Sequence, residues 1–409
     1  MNAAPRNPGW RVVFAGAGIN LVLGVLYSWS VLSKRIPADW HWTEADRSMP
    51  YSIACLVIAL AMVPAGKLQD VIGPRIMATI GGLLTGAGMM WASWGNTPHQ
   101  YAVGFGGLVG LGVGCSYAST TPAAIKWFPA RRTGLIAGIV VGAYGLASVY
   151  IAPLAEALIN RHGVPATMFA LGTGVLVVVV VLSQFLNPPA RAIASPTETP
   201  ESHGIDFLPR EVVRTWQFYV LWFMYACGSG AGLMIISKLA KMVDVQAGLK
   251  PGFLLVACLA VGNGSGRFCA GVVSDRIGRR ATLFSCFLLG AGLIFLLSQA
   301  RTGGAFGSLP VLMTLSALIG ANYGANLTLF PALTKDFYGL RNFGMNYGLL
   351  FTAWGVSGFV FSLLAGRAFD ATGTFAFAYE SAIGLLLTAA AVTFFVKPPL
   401  RPVPSSISS

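Results

Sequence analysis

Apolar segments of about 20 residues follow one another along almost the whole chain. Each is long enough for a helix that crosses the roughly 30 Å hydrocarbon core of a bilayer. Only 10% of the residues are charged, whereas a soluble domain carries roughly 25%, so this chain cannot cover a water-facing surface. We therefore predict an all-α integral membrane protein with twelve transmembrane helices. They are predicted near 11–33, 50–72, 76–96, 102–126, 134–160, 166–186, 215–243, 251–274, 281–299, 306–333, 343–369 and 375–396.

One polar stretch, residues 187–214, interrupts the apolar pattern. Pro, Ser, Thr and charged residues replace the apolar ones there, which is typical of a linker. The stretch predicts an N-terminal six-helix bundle at 1–186 and a C-terminal six-helix bundle at 215–409. Loops on the linker's side of the membrane hold most of the 27 Lys and Arg residues, and positively charged loops stay in the cytoplasm. Both termini are therefore predicted to be cytoplasmic.

The net charge of +13 does not indicate a nucleic-acid partner, because the basic residues form short clusters between apolar runs rather than one basic face. The six cysteines lie inside apolar segments without disulfide or metal-ligand spacing. The sequence offers no nucleophile–base pair, metal cluster or nucleotide-binding loop. We predict no cofactor, no metal and no enzymatic activity.

The two halves repeat the same motifs in the same order. Residues 66–75, after helix 2, match residues 271–280, after helix 8, at an offset of 271 − 66 = 205. Further matches join helix 4 to helix 10 at an offset of 331 − 122 = 209, and helix 5 to helix 11 at 344 − 134 = 210. Three ordered matches make a chance coincidence of glycines a poor explanation. Repeated halves around a midplane site are the expected build of an alternating-access carrier.

The two matched loops read GKLQDVIGPR and GVVSDRIGRR. They resemble the signature loop of the major facilitator superfamily, which implies that fold. In such a loop the Asp can accept hydrogen bonds from a neighbouring helix N-terminus, while the Arg pairs across the cytoplasmic face. The resemblance implies a conformational latch that does not touch substrate. Its residues would be Gly66, Asp70, Gly73, Arg75, Gly271, Asp275, Gly278 and Arg279.

Five further motifs lie inside the predicted helices: Asn20 with Tyr27-Ser28-Trp29-Ser30, Asn263-Gly264-x-Gly266-Arg267, Asn322-Tyr323-Gly324-Ala325-Asn326, Asn346-Tyr347-Gly348 and Thr352-Ala353-Trp354-Gly355. With these motifs the whole chain resembles, within that superfamily, the oxalate:formate antiporter family and its bacterial monocarboxylate-transporter relatives. The resemblance implies a carrier of the bacterial inner membrane that uses an arginine of helix 8 to bind a carboxylate.

Arg267 is the most informative residue because it lies inside predicted helix 8, where a charge is costly and marks a functional site by default. A structural ion pair is the alternative, but no Asp or Glu lies within one helical turn, and the residue four positions earlier is Asn263. A guanidinium can bind a carboxylate through two hydrogen bonds. We predict that Arg267 and Asn263 belong to a substrate site.

Trp354 narrows the range of predicted substrates from carboxylates in general to monocarboxylates. Oxalate carriers that resemble this chain have a lysine at that position, and two cavity cations suit a dianion. One cation beside an indole suits a single carboxylate with a short apolar tail, such as lactate or pyruvate. The alternative is that Trp354 packs against lipid.

The repeat suggests the remaining walls of the site. Tyr117 in helix 4 corresponds to Asn326 in helix 10, and Tyr144 in helix 5 corresponds to Trp354 in helix 11. Positions related in this way face one central axis. Hydrogen-bonding side chains on nearby turns complete the predicted substrate site: Tyr27, Asn322 and Tyr323.

Asp244 is the candidate for proton coupling, through pairing with Arg267 during turnover. The alternative is a local pair with Lys241, since the two are three residues apart near the end of helix 7.

These features predict a monomeric, proton-coupled symporter of small monocarboxylates whose partners are the substrate, the proton and the lipid bilayer. An oxalate/formate-type anion exchanger is one alternative. A non-transporting membrane sensor is another, although the short linker and tails contain no signalling domain.

Overall fold

A computed structural model describes residues 8–129, 132–187, 189, 206–236, 239–248 and 252–399. Within these ranges all regular secondary structure is helical, and no strand occurs. The all-α architecture predicted from the sequence is therefore confirmed. Residues 188 and 190–205, most of the predicted linker, lie outside the described residues.

The long helices are numbered α1 to α12 in chain order. The stretch Thr133–Ser183 is one helical run that breaks at Gly163, where φ is +77°. Only glycine adopts this conformation without strain, so we treat 133–162 as α5 and 164–183 as α6, close to the predicted boundary. The others are α1 (Gly9–Arg35), α2 (Glu44–Ile72), α3 (Pro74–Ser93), α4 (Pro98–Ile125), α7 (Trp216–Ile236), α8 (Gly252–Ile277), α9 (Arg279–Ser298), α10 (Leu309–Tyr338), α11 (Phe343–Thr372) and α12 (Ala376–Thr393).

Nine stretches of the described chain are long and apolar enough to cross a membrane, and the α5–α6 run counts once among them. The helices α10 and α11 have 30 residues each but are not among the nine. The chain is a multi-pass membrane protein by this measure, while the count of twelve crossings remains a prediction.

The helix α1 changes winding near its middle. It is α-helical over Gly9–Leu23 and then tightens into a 3₁₀ turn over Gly24–Ser28. A methyl group on Gly24 would collide with Ala147 of α5, so only glycine permits this close approach. The turn places Tyr27 beside Tyr144 of α5, with ring centroids 5.5 Å apart.

Close contacts join α5 to α8 and α2 to α11. A methyl group on Gly145 would lie 3.1 Å from both the Cα atom of Gly264 and Nε of Arg267. A methyl group on Gly66 would collide with the carbonyl of Gly344. These small residues bring helix backbones together, and they bring Arg267 of α8 against α5.

The described end of the predicted linker is anchored on the turn between α10 and α11. The Phe207 N–H donates to the Tyr338 carbonyl oxygen at 3.0 Å. The side-chain amides of Asn342 and Asn346 both donate to the Phe207 carbonyl oxygen, at 3.1 and 3.2 Å. The Asp206 carboxylate accepts from the Arg341 N–H at 3.0 Å. The linker is thus attached to the second half of the chain before α7 begins.

Candidate substrate-binding site

The side chain of Arg267 is completely enclosed between α8 and α5. Its residue is 1% exposed. Nε donates to Oδ1 of Asn263 at 2.9 Å, and Nη1 donates to the carbonyl oxygen of Val141 at 2.8 Å. None of the ion pairs among the described residues involves Arg267. The structural ion pair considered as an alternative is therefore not seen there.

Asn263 holds the guanidinium and does not line the cavity beside it. Its main chain packs tightly on Gly324 of α10, while its amide oxygen accepts from Arg267. Five N–H groups belong to a guanidinium, and these two bonds use two of them. The other three are left for a ligand or for the phenol hydroxyls of Tyr27 and Tyr117, which lie within reach. The contact seen for Asn263, which was predicted to bind substrate, is the one that orients Arg267.

A cavity of about 30 Å³ lies beside Arg267, at the centre of the bundle. That volume holds about two water molecules, so a carboxylate of three carbons enters only if the walls move. Six of the nine side chains predicted to bind substrate line it. The lining residues are Tyr27, Ile58, Val113, Tyr117, Tyr144, Arg267, Tyr323, Leu327, Phe351 and Trp354.

Tyrosine rings surround the guanidinium. Cζ of Arg267 lies 5.9 Å from the centroid of the Tyr144 ring, a cation–π distance. Tyr144 in turn meets Tyr27 and Tyr117 edge to face, with centroids 5.5 and 5.4 Å apart. The cation therefore faces aromatic rings and phenol groups, which leave its positive charge uncompensated.

Trp354 lies on the cavity wall, and it is the residue that the internal repeat relates to Tyr144. Its Nε1–H donates to the Tyr323 hydroxyl at 2.8 Å, and its ring stacks on Phe351 with centroids 5.1 Å apart. The lipid-facing alternative for Trp354 is wrong, because the half-buried indole is fixed inside the bundle.

Asn322 and Asn326 do not belong to the Arg267 cavity. Asn322 lines a separate cavity of about 10 Å³ with Gly228, Gly232 and Gly290, and Asn326 lies against Gly228. The structure does not bring them into this cavity, because successive residues of a helix point about 100° apart. Tyr323 and Leu327 face the centre, so the asparagines one position earlier face α7 and α9.

Asp244 lines neither cavity. It is exposed, and it lies on a short helix after α7, Leu239–Ala247. Lys238 and the side chain of Lys241 lie outside the described residues. The predicted approach of Asp244 to Arg267 is therefore not seen.

The loop after α8 is bound to the start of α5. The Asp275 carboxylate accepts hydrogen bonds from the N–H groups of Gly134 and Leu135, at 3.1 and 2.9 Å. A carboxylate at a helix N-terminus is stabilised by the helix dipole. Arg279 pairs with Asp275 at 2.6 Å and with Asp336 of α10 at 3.1 Å.

The loop after α2 makes the corresponding contact with α11. Gly66 packs on Gly344, and the Asp70 carboxylate lies within hydrogen-bonding reach of the Gly344 N–H. Asp70 also pairs with Lys126 at 3.4 Å. We call the end of the bundle that carries these two loops the loop end.

Two glycines of these loops adopt a backbone conformation that favours glycine. Gly73 and Gly278 have φ of +93° and +90°, where a side chain is strained. Among the described residues, Arg75 donates to Gln184 of α6 at 2.7 Å and Arg279 pairs with Asp275 and Asp336, so neither arginine is seen in an ion pair with the other half. Backbone amides at the starts of α5 and α11 meet the other half instead.

Four lining residues were not predicted: Ile58, Val113, Leu327 and Phe351. Val113 and Leu327 lie four residues from Tyr117 and Tyr323, one turn along the same helix face. That spacing could have identified both.

Comparison with known proteins agrees with this architecture. The structure superposes on the Escherichia coli fucose:proton symporter with a TM-score of 0.70 over 94% of this chain and 98% of that chain, at 13% identity. The sequence is 27% identical to the oxalate:formate antiporter of Oxalobacter formigenes over 85% of this chain and 81% of the relative. It is 24% identical to monocarboxylate transporter 13 of Bos taurus over 94% and 88%.

The chain also matches a protein-family model. The model of the Major Facilitator Superfamily matches residues 12–257 and 243–409. Together the two matches extend from the first turn of α1 to the C-terminus, so they account for the fold as well as the paired loops. The chain therefore belongs to the Major Facilitator Superfamily of membrane transporters.

Proposed function

We propose that this transporter carries small monocarboxylates and that Arg267 binds the carboxylate. The observation that carries the proposal is the buried guanidinium beside the central cavity, without an acidic partner among the described residues. A buried cation without a counter-charge is costly, and a bound carboxylate removes that cost. The similarity to proteins named oxalate:formate antiporter and monocarboxylate transporter supports an organic anion.

The cavity walls favour one carboxylate over two. Within the described part of the chain Arg267 is the single cation on the lining, and Ile58, Val113 and Leu327 are apolar. A dianion would bring a second charge into these walls without a partner, at a large desolvation cost. A lactate- or pyruvate-sized acid places its short tail there at no such cost.

Two modes of coupling fit such a carrier. Proton symport is the expectation from the sequence and needs a side chain that takes up the proton. No carboxylate lines the cavity in the described part of the chain, and Asp244 is exposed away from it. This observation favours the second candidate, in which one anion is exchanged for another.

We also propose that the loop end faces the cytoplasm of a bacterial inner membrane, that the carrier works as a monomer, and that the contacts of Asp70 and Asp275 hold the loop end closed. The two six-helix bundles, 1–186 and 215–409, would then rock about the Arg267 cavity. Occupation of Arg267 by an anion lowers the cost of closing the cavity, so the loaded carrier reorients more readily than the empty one.

The proposal is tested with the purified protein in liposomes and radiolabelled lactate. We expect saturable uptake that unlabelled pyruvate competes and oxalate does not. Uptake driven by a pH gradient without internal anion indicates symport, whereas uptake that requires internal lactate indicates exchange. Absence of uptake under both conditions, for every short monocarboxylate tried, would contradict the proposal.

Trp354→Lys should change the preferred substrate. The lysine adds a second cation beside the cavity, so a dianion gains a partner and oxalate uptake should rise about tenfold relative to lactate. Trp354→Phe is the matched control, since it keeps an aromatic ring on Phe351 and adds no charge. Competition by oxalate against labelled lactate measures both variants, and equal competition in both would contradict this explanation of substrate choice.

A further inference from the structure

A column of aromatic side chains runs along α11 from the cavity to the loop end. Phe343, Tyr347 and Phe351 follow one another at a spacing of four residues, which places them on one helix face. Their ring centroids are 5.9 and 5.7 Å apart in order. Phe351 lines the cavity, and Phe343 is the first residue of α11. The column therefore covers about 12 Å, at 1.5 Å per residue, between the cavity and the loop end.

Two rings from other helices complete a layer beneath the cavity. Tyr225 of α7 stacks on Phe330 of α10 with centroids 4.2 Å apart, and it meets Phe351 at 6.2 Å. Tyr225 lies nine residues after the start of α7, and Phe330 lies eight residues before the end of α10. Both helix ends are at the loop end, so the two rings lie at the same depth as Phe351. All of these residues are buried, and together they close the cavity towards the loop end.

The hydroxyls of Tyr225 and Tyr347 are the unusual feature of this layer. The two residues are 0% and 3% exposed. Their hydroxyls face each other within reach, but the geometry between them falls short of a hydrogen bond, and neither finds another partner within the described part of the chain. The other tyrosines nearby are different, since the Tyr323 hydroxyl accepts from Trp354 and the Tyr338 hydroxyl pairs with Thr215. Burying an unpaired hydroxyl is unfavourable, and phenylalanine would fill a permanently closed layer better.

We propose that Tyr225 and Tyr347 are gate residues whose hydroxyls serve the substrate's path between the Arg267 cavity and the loop end. When the layer parts, water and the passing carboxylate reach both phenols, and each O–H donates to a carboxylate oxygen. The closed layer leaves these hydroxyls unpaired and the open layer satisfies them, so they favour opening. The inference rests on the proposed transport of a carboxylate and adds a second, transient contact for it.

Removing either hydroxyl should slow turnover without weakening binding. In Tyr347→Phe and Tyr225→Phe we expect the maximal rate of lactate uptake into liposomes to fall about tenfold, because the open layer loses a hydrogen bond that the closed layer never had. The lactate concentration that gives half-maximal rate should stay unchanged, and the melting temperature should stay equal or rise. The gate assignment is overturned if the rate is unchanged, or if the half-maximal concentration rises in step with the loss of rate.

Tyr101→Phe is the matched control. Tyr101 is also fully buried, and its hydroxyl has no partner among the described residues, but it packs among Trp29, Trp40 and Trp42 away from this layer. The same chemical change there should leave turnover at the wild-type rate. An equal loss of rate in Tyr101→Phe would assign the effect to general packing and overturn the proposal.

Hydrogen–deuterium exchange separates this inference from the proposed function. Exchange of the amides of residues 343–351, measured without any substrate, reports how often the layer opens. We expect exchange about tenfold slower in Tyr347→Phe than in the wild type and in Tyr101→Phe. Slower exchange in a protein that carries no monocarboxylate would support the gate and contradict the proposed substrate. Unchanged exchange in a protein that transports lactate would overturn the gate alone.

Discussion

Uptake of lactate is expected to fall at least about thirtyfold when Arg267 is replaced by alanine. The change removes the only cation that lines the cavity among the described residues, and loss of one partner of a buried charge pair is worth about 2–5 kcal/mol. Arg267→Lys should retain part of the activity, with a loss of about tenfold, because an ammonium keeps the charge but cannot reproduce the planar fork. Initial rates in liposomes measure both variants.

The matched control for this change is Arg161→Ala. Arg161 is an exposed arginine near the end of α5, so its removal changes the net charge by the same amount and leaves the cavity intact. Melting temperatures of all variants in detergent show whether each protein is folded. Wild-type uptake by a folded Arg267→Ala protein would contradict the assignment of the carboxylate site.

A methyl group at Gly66 is expected to produce the second-largest loss. In Gly66→Ala the new carbon would collide with the Gly344 carbonyl where α2 meets α11. Overpacking of this kind costs about 1–3 kcal/mol, and the cost falls on the conformation in which the loop end is closed. We expect turnover to fall about tenfold or more, with lactate binding retained in a thermal-shift assay.

Gly292→Ala is the comparison for this prediction, because a Cβ there meets nothing within 4 Å. The same gain in helix propensity without the collision should leave uptake unchanged. Gly271→Ala should behave like Gly66→Ala, because a methyl group at Gly271 collides with Gly134 at the equivalent contact between α8 and α5. Normal turnover in both loop variants would show that these contacts do not limit transport.

The sequence predicted the parts of the site that follow from the energetic cost of a charge inside an apolar helix and from the internal repeat. An arginine inside an apolar helix is expensive wherever it points, so Arg267 could be identified without knowing its neighbours. The repeat related Tyr144 to Trp354, and both line the cavity. The helical architecture could also be predicted, because the length of the apolar segments is enough to indicate membrane-spanning helices.

The placements that could not be predicted from the sequence depend on rotation about a helix axis and on tertiary neighbours. Asn322 and Asn326 are polar and mid-helix, as a ligand-binding residue would be, but a turn of 100° directs them to α7 and α9. Asn263 was assigned to the substrate, although a residue four positions before Arg267 is placed to hold the guanidinium itself. Arg75 could not be placed, because its partner Gln184 is more than 100 residues away in the chain.

The anchoring of Phe207 on the turn between α10 and α11 has a consequence for how the protein can be made. Asp206 and Phe207 make these hydrogen bonds with residues of the second half of the chain. A break in the polypeptide between Asn187 and Asp206 would therefore leave those contacts in place. The two halves, synthesised as separate polypeptides in the same membrane, should find each other through the α2–α11 and α5–α8 contacts and reconstitute a working carrier.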